Sequence, residues 1–481
     1  MPSTPDPRPL NLNALLRPKS IAVVGASKNP DSPGHDYVQC LLDFGFKGEV
    51  YPVHRRESEI LGLKAYPDLS SIPGDVEFVI SCIPSEAILD VIDEAAQKGV
   101  RLMQLFTGRF SETGREEGAV LEREVLRRAR KGGVSLIGPN CMGLHDPEWG
   151  FSFRPDLPRR TGGAAFISQS GNNTTEVLIH SDVRGVGYRL ALSYGNALDV
   201  TEAHLLEYLG EVSGVNVIGA YIEGVRDGRH FLRALSSAAA STPTIIFKGG
   251  RTGAGARSAV SHTAALAGSS NVWRGALRQA GAIEVRSQDE LIDLLVAFEL
   301  LAKPDAAIGR NVGAVGGGGG RAVQAADACT EQGLSVPPLT DGIRAQLKER
   351  APELWDWIGN PVDQSILAGG GVSGAAVLEM MLADPAFDLL IANVGEDWVL
   401  GRPDSAERLM HIVQRFADIG KRSRKPIAFV LGPADSPDEY RWRAVEGART
   451  LLVDAGLAVF PTVERAAWAL RNYVEYWEAR A

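Results

Sequence analysis

The chain has 481 residues, 44% hydrophobic and 23% charged, with 50 Lys and Arg against 59 Asp and Glu for a formal charge of −9. That length exceeds what one hydrophobic core organises and implies about three domains. The acidic balance excludes broad electrostatic attraction to nucleic acid or anionic lipid, so any anion must be held by a local site.

Residues 1–7 have neither the basic start nor the apolar core of a signal peptide, and no apolar run is long enough to span a bilayer. A cytoplasmic protein that uses neither membrane nor nucleic acid is expected. The four cysteines, Cys40, Cys82, Cys141 and Cys329, are widely spaced without a CxxC pair. They read as reduced, mostly buried thiols, with no disulfide framework and no metal site.

Strand-like and helix-like segments then alternate to the end. Short apolar runs at 21–24, 50–53, 76–83, 102–106 and 134–137 predict strands, with helices such as 85–98 and 116–131 between them. Continuous apolar strands separated by helices indicate a parallel sheet covered on both faces. This first unit closes near Asp146-Pro147, for a domain over 1–150. A second starts with strand 164–167, continues through 188–193, 215–222 and 244–247, and ends with helix 288–301 before a linker at Lys303-Pro304-Asp305, for a domain over 151–304. A third, over 305–481, has strands at 312–315, 389–394, 427–431 and 457–460 and a last helix after Thr462. The fold class is α/β: a Rossmann-like domain followed by two flavodoxin-like parallel-sheet domains.

In the first domain, strand 21–24 runs into Gly25-Ala26-Ser27-Lys28 and a helix. A Gly-rich turn there sets backbone N–H groups and a helix N-terminus where they can cradle phosphate. The spacing is not GxGxxG. Where a dinucleotide fold places an acid for the ribose, this chain has His54-Arg55-Arg56, which with Lys28 suits the extra phosphates of coenzyme A or NADP; the plainer alternative is the charged start of a solvated helix. The loops Cys82-Ile83-Pro84-Ser85 and Gly138-Pro139-Asn140-Cys141 follow strands on the same expected edge, as ligand-lining loops or as plain turns.

The second domain carries the chemistry. Ser261-His262-Thr263-Ala264 sets one histidine among small residues, preceded by Lys248-Gly249-Gly250-Arg251. Small neighbours let a phosphate approach an imidazole, cations can hold it there, and imidazole is a nucleophile near neutral pH. His262 is therefore read as transiently phosphorylated, with Lys248 among the phosphate-holding groups. Ser168-Gln169-Ser170-Gly171 ends a strand and starts a helix, an anion site or an ordinary N-cap. Glu223, at the end of strand 215–222, is either a surface acid or the carboxylate that orients the imidazole. Asn196 and Asp199 are further polar candidates. In the third domain, the glycines 316–320 before Arg321 form a phosphate nest or a permissive turn.

In order, Val24-Gly25-Ala26-Ser27, Gly138-Pro139-Asn140-Cys141, Ser168-Gln169-Ser170-Gly171, Gly195-Asn196-Ala197-Leu198-Asp199, Ile222-Glu223-Gly224, Ser261-His262-Thr263 and Asn360-Pro361-Val362-Asp363 make the chain resemble the NDP-forming acyl-CoA synthetases over nearly its whole length. It is close in pattern to the succinyl-CoA synthetase α subunit and the α part of ADP-forming acetate–CoA ligases. The resemblance implies a CoA-binding first domain, with Gly25, Ser27, Lys28, Arg55, Pro84 and Asn140 toward CoA. It makes His262 the phosphorylated histidine, Glu223 its supporting acid, and Ser168, Ser170 and Gly171 the loop facing phosphate. The reaction implied is acyl-CoA + phosphate + ADP to and from acid + CoA + ATP, through an acyl phosphate and phosphohistidine. No stretch resembles the family's ATP-grasp domain, so a separate ATP-grasp β subunit is expected to carry ADP or ATP with Mg2+, in a hetero-oligomer, with a homodimer as the other assembly. The substrate is a small carboxylic acid. Where the family has Gly-Phe this chain has Arg109-Phe110, and where it has a smaller apolar pair this chain has Asn172-Asn173, which leaves the acid open. The competing functions are a CoA-binding regulatory protein without ligase turnover and an NAD(P)-dependent oxidoreductase; the glycine spacing and the basic residues at 54–56 disfavour the latter.

Overall fold

The computed structural model describes residues 10–255, 257, 270–304, 308–367, 371–401, 405–433 and 436–480. They form two compact units, one of Met1–Ile179 with Gly187–Leu291 and one of His180–Val186 with Ile292–Ala481.

The first unit holds two sheets. In the first, Glu49–Val53, Ser20–Val24, Phe78–Ser81, Leu102–Leu105 and Ser135–Ile137 lie side by side, all parallel. Burial explains their composition: every residue of Ser20–Val24 and Phe78–Ser81 is buried, as expected for strands with helices on both faces. The first strand pairs with the second on one side and the third on the other. That reversal of strand order opens a crevice beyond their carboxyl ends.

The second sheet runs Ile283–Val285, Thr244–Lys248, Val217–Ile222, Thr161–Ser168, Tyr188–Ser193 and Gly143–His145. Its reversal lies between Thr161–Ser168 and Val217–Ile222, so Ser168 and the residues after Ile222 face one crevice. Gly143–His145 pairs antiparallel with Tyr188–Ser193. The chain thus enters the second sheet before Asp146-Pro147, and this short strand covers the sheet's edge.

The second unit has the parallel sheet Val312–Gly316, Leu389–Asn393, Ile427–Val430, Val459–Phe460, in chain order. Parallel bridges Asn311–Ser335 and Val315–Val362 add connecting segments along the first strand. Its buried core runs through Leu347, Phe387, Phe416 and Leu452. An ion cluster lies within this unit: Asp293, 1% exposed, pairs with Arg184 and Arg465 at 2.6 Å each. The fold is the α/β arrangement expected, with parallel sheets throughout apart from Gly143–His145 and the small hairpin Glu59–Ile60 with Leu63–Lys64.

Candidate active site

At the first crevice, Gly25 has φ +87°, and a Cβ there would meet Cys82 and Ile83 at 3.1 Å. A Cβ on Gly34 would lie 2.0 Å from the Gly25 carbonyl oxygen. The helix Pro33–Asp43 therefore packs directly on the turn. Its start has Pro33, which carries no N–H, and no side-chain cap; His35 N donates to Ser32 O at 2.9 Å, so the Gly34 N–H is the leading one left for a phosphate at the turn. Ser27 stabilises that turn: its Oγ accepts from Asn29 N at 3.0 Å, and His35 Nδ1 lies 3.1 Å from its carbonyl oxygen. Lys28 Nζ pairs with Glu57 at 2.6 Å, which raises the ammonium pKa and lowers that of the carboxyl. The pair brings Lys28 to the 54–57 loop, where His54 Nδ1 accepts from the Arg56 and Glu57 amides and Arg55 is exposed.

Farther along, a cleft of about 690 Å³ is lined by 82–86, 106–109, 140–142 and 169–172. It joins the carboxyl edges of both sheets within the first unit. Thr107 Oγ1 donates to Ile83 O at 2.5 Å and Asn140 N to Thr107 O at 3.1 Å, so the three loops hold one another, with Pro84 exposed at the lip. Asn140 has φ +57° and donates to Asn196 Oδ1 at 3.4 Å. Asn196 in turn donates to Glu112 at 2.7 Å. Asp199, a polar candidate by sequence, is occupied structurally by Arg130 at 3.2 Å and Leu136 N at 3.1 Å. Burial pushes the thiols of Cys82 and Cys141 well up and that of Cys40 up to about 12. All four cysteines are free.

At the second crevice, Ser168 is fully buried and its Oγ accepts from Ser170 N at 3.0 Å, closing the turn from inside. Ser170 Oγ accepts from Asn173 N at 3.3 Å and so caps the helix Gly171–Asp182. A Cβ on Gly171 would fall 2.5 Å from Met142 Cγ, so only glycine lets the helix start this close to the 140–142 loop. Gln169, which the sequence reading passed over inside its motif, spans the crevice. Its Oε1 accepts from Glu223 N at 2.5 Å and Gly224 N at 3.0 Å, and its Nε2 donates to Gly224 O at 3.1 Å.

Glu223 is held by that brace at 7% exposure. Its Oε1 accepts from Tyr221 Oη at 3.3 Å, while its buried Oε2 has no partner among the described residues. Burial and the Glu223 charge raise the Tyr221 phenol far above its usual range, which keeps it a donor. Gly249 makes room for both, since a Cβ there would stand 2.6 Å from Tyr221 Oη and 3.2 Å from Glu223 Cγ.

Lys248, expected to hold phosphate, lines the same cavity as Arg251 and is also engaged on the backbone. It is 4% exposed, its ammonium donates to Glu223 O at 2.6 Å and to Gly249 O, and it lies 5.2 Å from the Trp273 ring centroid. Burial lowers its pKa, with Arg251 adding to the shift and Glu223 opposing it. Two carbonyl oxygens use the charge, so Lys248 braces the loop that carries Glu223. Arg251, Arg274 and Arg286 border a neighbouring cavity of about 310 Å³. His262 lies outside the described residues. On its two flanks, Ser270 Oγ donates to Arg251 O at 2.9 Å.

Among the described residues, no helix is long and apolar enough to cross a membrane, and no group of three or more His, Cys, Asp or Glu could hold a metal ion.

Residues 19–147 match the model of a CoA binding domain, and residues 161–298 that of a succinyl-CoA ligase like flavodoxin domain. The chain is 31% identical to the acetate–CoA ligase [ADP-forming] I subunit alpha of Pyrococcus furiosus, over 98% of this chain and 99% of that one. With the acetate–CoA ligase [ADP-forming] II of Archaeoglobus fulgidus it shares 32% identity over 98% of its own length and 68% of the longer relative. Among solved structures, a dinucleotide forming acetyl-coenzyme A synthetase 1 of Ca. Korarchaeum cryptofilum, in complex with phosphate and ADP, superposes with a TM-score of 0.81 at 29% identity, covering 98% of this chain and 97% of that one.

Proposed function

The chain belongs to the ADP-forming acetate–CoA ligase family, and from that premise we propose that it is the α-type part of an acid–CoA ligase with His262 as phosphoryl carrier. The reaction is acyl-CoA + phosphate + ADP to and from a small carboxylic acid + CoA + ATP. A phosphate oxygen attacks the thioester carbonyl, the C–S bond breaks, and CoA leaves as the thiol. A His262 nitrogen then attacks phosphorus of the acyl phosphate, the P–O bond breaks, and the acid leaves as carboxylate. ADP takes the phosphoryl group from His262 and restores the imidazole.

One observation carries this reading. Glu223 has a buried carboxylate oxygen without a partner among the described residues, fixed by Gln169 at the crevice that Ser170-Gly171 also borders. An orphaned buried oxygen is costly, and an imidazole N–H would satisfy it. That contact would set the tautomer of His262 and stabilise the cationic phosphoimidazole. The start of the helix Gly171–Asp182 would offer N–H groups to the phosphoryl oxygens in transit. Transfer of this kind depends on positioning and charge neutralisation. Gly25, Ser27, Lys28, Arg55, Pro84 and Asn140 are proposed to bind CoA along the first crevice and cleft. A separate ATP-grasp β subunit is proposed to carry ADP or ATP with Mg2+. The likeness to a relative named a subunit alpha supports that division.

The test is to incubate the full chain with acetyl [32P]phosphate and, separately, with succinyl [32P]phosphate. An acid-labile, alkali-stable label is expected on the wild-type chain and none on His262→Asn. Glu223→Gln should lower the labelled fraction at least tenfold. Binding of CoA with no label on the wild-type chain would favour a regulatory CoA-binding protein instead.

A further inference from the structure

Arg109 departs from its surroundings in three ways. It is one of four described non-glycine residues with positive φ, at +75°, a conformation that L side chains adopt only where the surroundings enforce it. Its loop is pinned on both sides: the Glu112 carboxylate accepts from the Arg109 and Phe110 amides, Phe110 is 1% exposed, and a Cβ on Gly108 would lie 2.9 Å from Glu112 Oε1. Yet its guanidinium has no hydrogen bond or ion pair among the described residues, while the side chain lines the cleft. The one other charged residue in the described lining is Glu86, on the turn Ser85–Ala87, and no ion pair joins the two. The rest of the cleft wall is mixed: Asn140, Gln169, Ser170 and Asn172 supply amides and a hydroxyl, and Ile83, Phe106 and Met142 supply apolar surface.

Arg109 is exposed at the mouth of the cleft, with its backbone anchored and its guanidinium unpaired among the described residues; such a cation is suited to an anion that arrives with the ligand, and a guanidinium matches a carboxylate with two parallel hydrogen bonds. The cleft reaches Ser170-Gly171, the turn proposed above to hold the phosphoryl oxygens, and the acyl carbon that phosphate attacks would lie beside it. We infer that Arg109 is a specificity-determining residue that selects carboxylic acids carrying a second carboxylate, in preference to simple alkanoic acids. This inference rests on the acid–CoA ligase reading and concerns only the acyl end of the cleft.

Calorimetric titration of the full chain with CoA, butyryl-CoA and succinyl-CoA tests it. Wild-type chain should bind succinyl-CoA about tenfold tighter than butyryl-CoA. Arg109→Gly, which removes the backbone strain as well as the charge, should bring that ratio to about one, and Arg109→Lys should keep part of it. A wild-type ratio near one, or a ratio that Arg109→Gly leaves unchanged, overturns the inference. So does an equal loss for all three ligands, which would assign the guanidinium to the phosphates of CoA. Failure of the wild-type chain to bind CoA at all would overturn the ligase reading, and this inference with it.

Discussion

Glu202 opens the helix Glu202–Glu211 at 2% exposure, and burial pushes its carboxyl up to about 7, against the opposing effects of the backbone and Arg226. In the unfolded chain the same group titrates near its ordinary 4.5. Between those values the folded chain binds the proton more tightly than the unfolded one, so stability falls as pH rises from about 4.5 to about 7. The shift amounts to about 3 kcal/mol. Urea midpoints measured from pH 5 to 8 should decline more steeply for the wild-type chain than for Glu202→Gln, which cannot lose the proton; equal slopes would rule the explanation out. Nothing in the residues around Glu202 marks it as buried, because burial is set by neighbours distant in sequence. His262 is the opposite case, a residue whose setting of small and cationic neighbours is visible in the sequence itself.

At the scale of elements, most strands were legible because each is a continuous apolar run, and the structure moves their limits by only a few residues; Ile283–Val285 and the hairpin strands Glu59–Ile60 and Leu63–Lys64 were not. The predicted helix 85–98 is a short turn, Ser85–Ala87, followed by the helix Ile88–Lys98. Gly143–His145 was not legible, since three residues on a sheet edge carry no pattern. The serines and glycine of Ser168-Gln169-Ser170-Gly171 signalled a turn into a helix. What they concealed was Gln169, whose three bonds cross from one strand end to another. Gln169→Leu keeps the volume but strands two buried N–H groups and a carbonyl. It should cost about 2–4 kcal/mol in urea unfolding and abolish the His262 label as Glu223 loses its brace. An intact label with full stability would show that the brace is dispensable.

At the scale of the whole molecule, the second unit has an electrostatic core that no local pattern announces. Asp293 meets Arg184 and Arg465, 109 and 172 residues away in sequence, and Arg184 also donates to Val459 O at 3.0 Å. Removing the acid breaks its ion pairs with both guanidinium groups. Asp293→Asn should therefore destabilise the second unit by about 3–5 kcal/mol, read as an earlier transition in guanidinium chloride; a loss below about 1 kcal/mol would mean that solvent already screens the cluster. The alternation of apolar runs with helical segments was enough by itself to determine the α/β class, the order of the elements and the loops that lie at strand ends, because those depend on neighbours in sequence. Only the tertiary structure decided how each polar side chain in those loops is used. It engages Lys248 and Asp199 in holding backbone and leaves one oxygen of Glu223 and the guanidinium of Arg109 without partners among the described residues, because hydrogen-bond partners are supplied by strands and turns brought together only on folding.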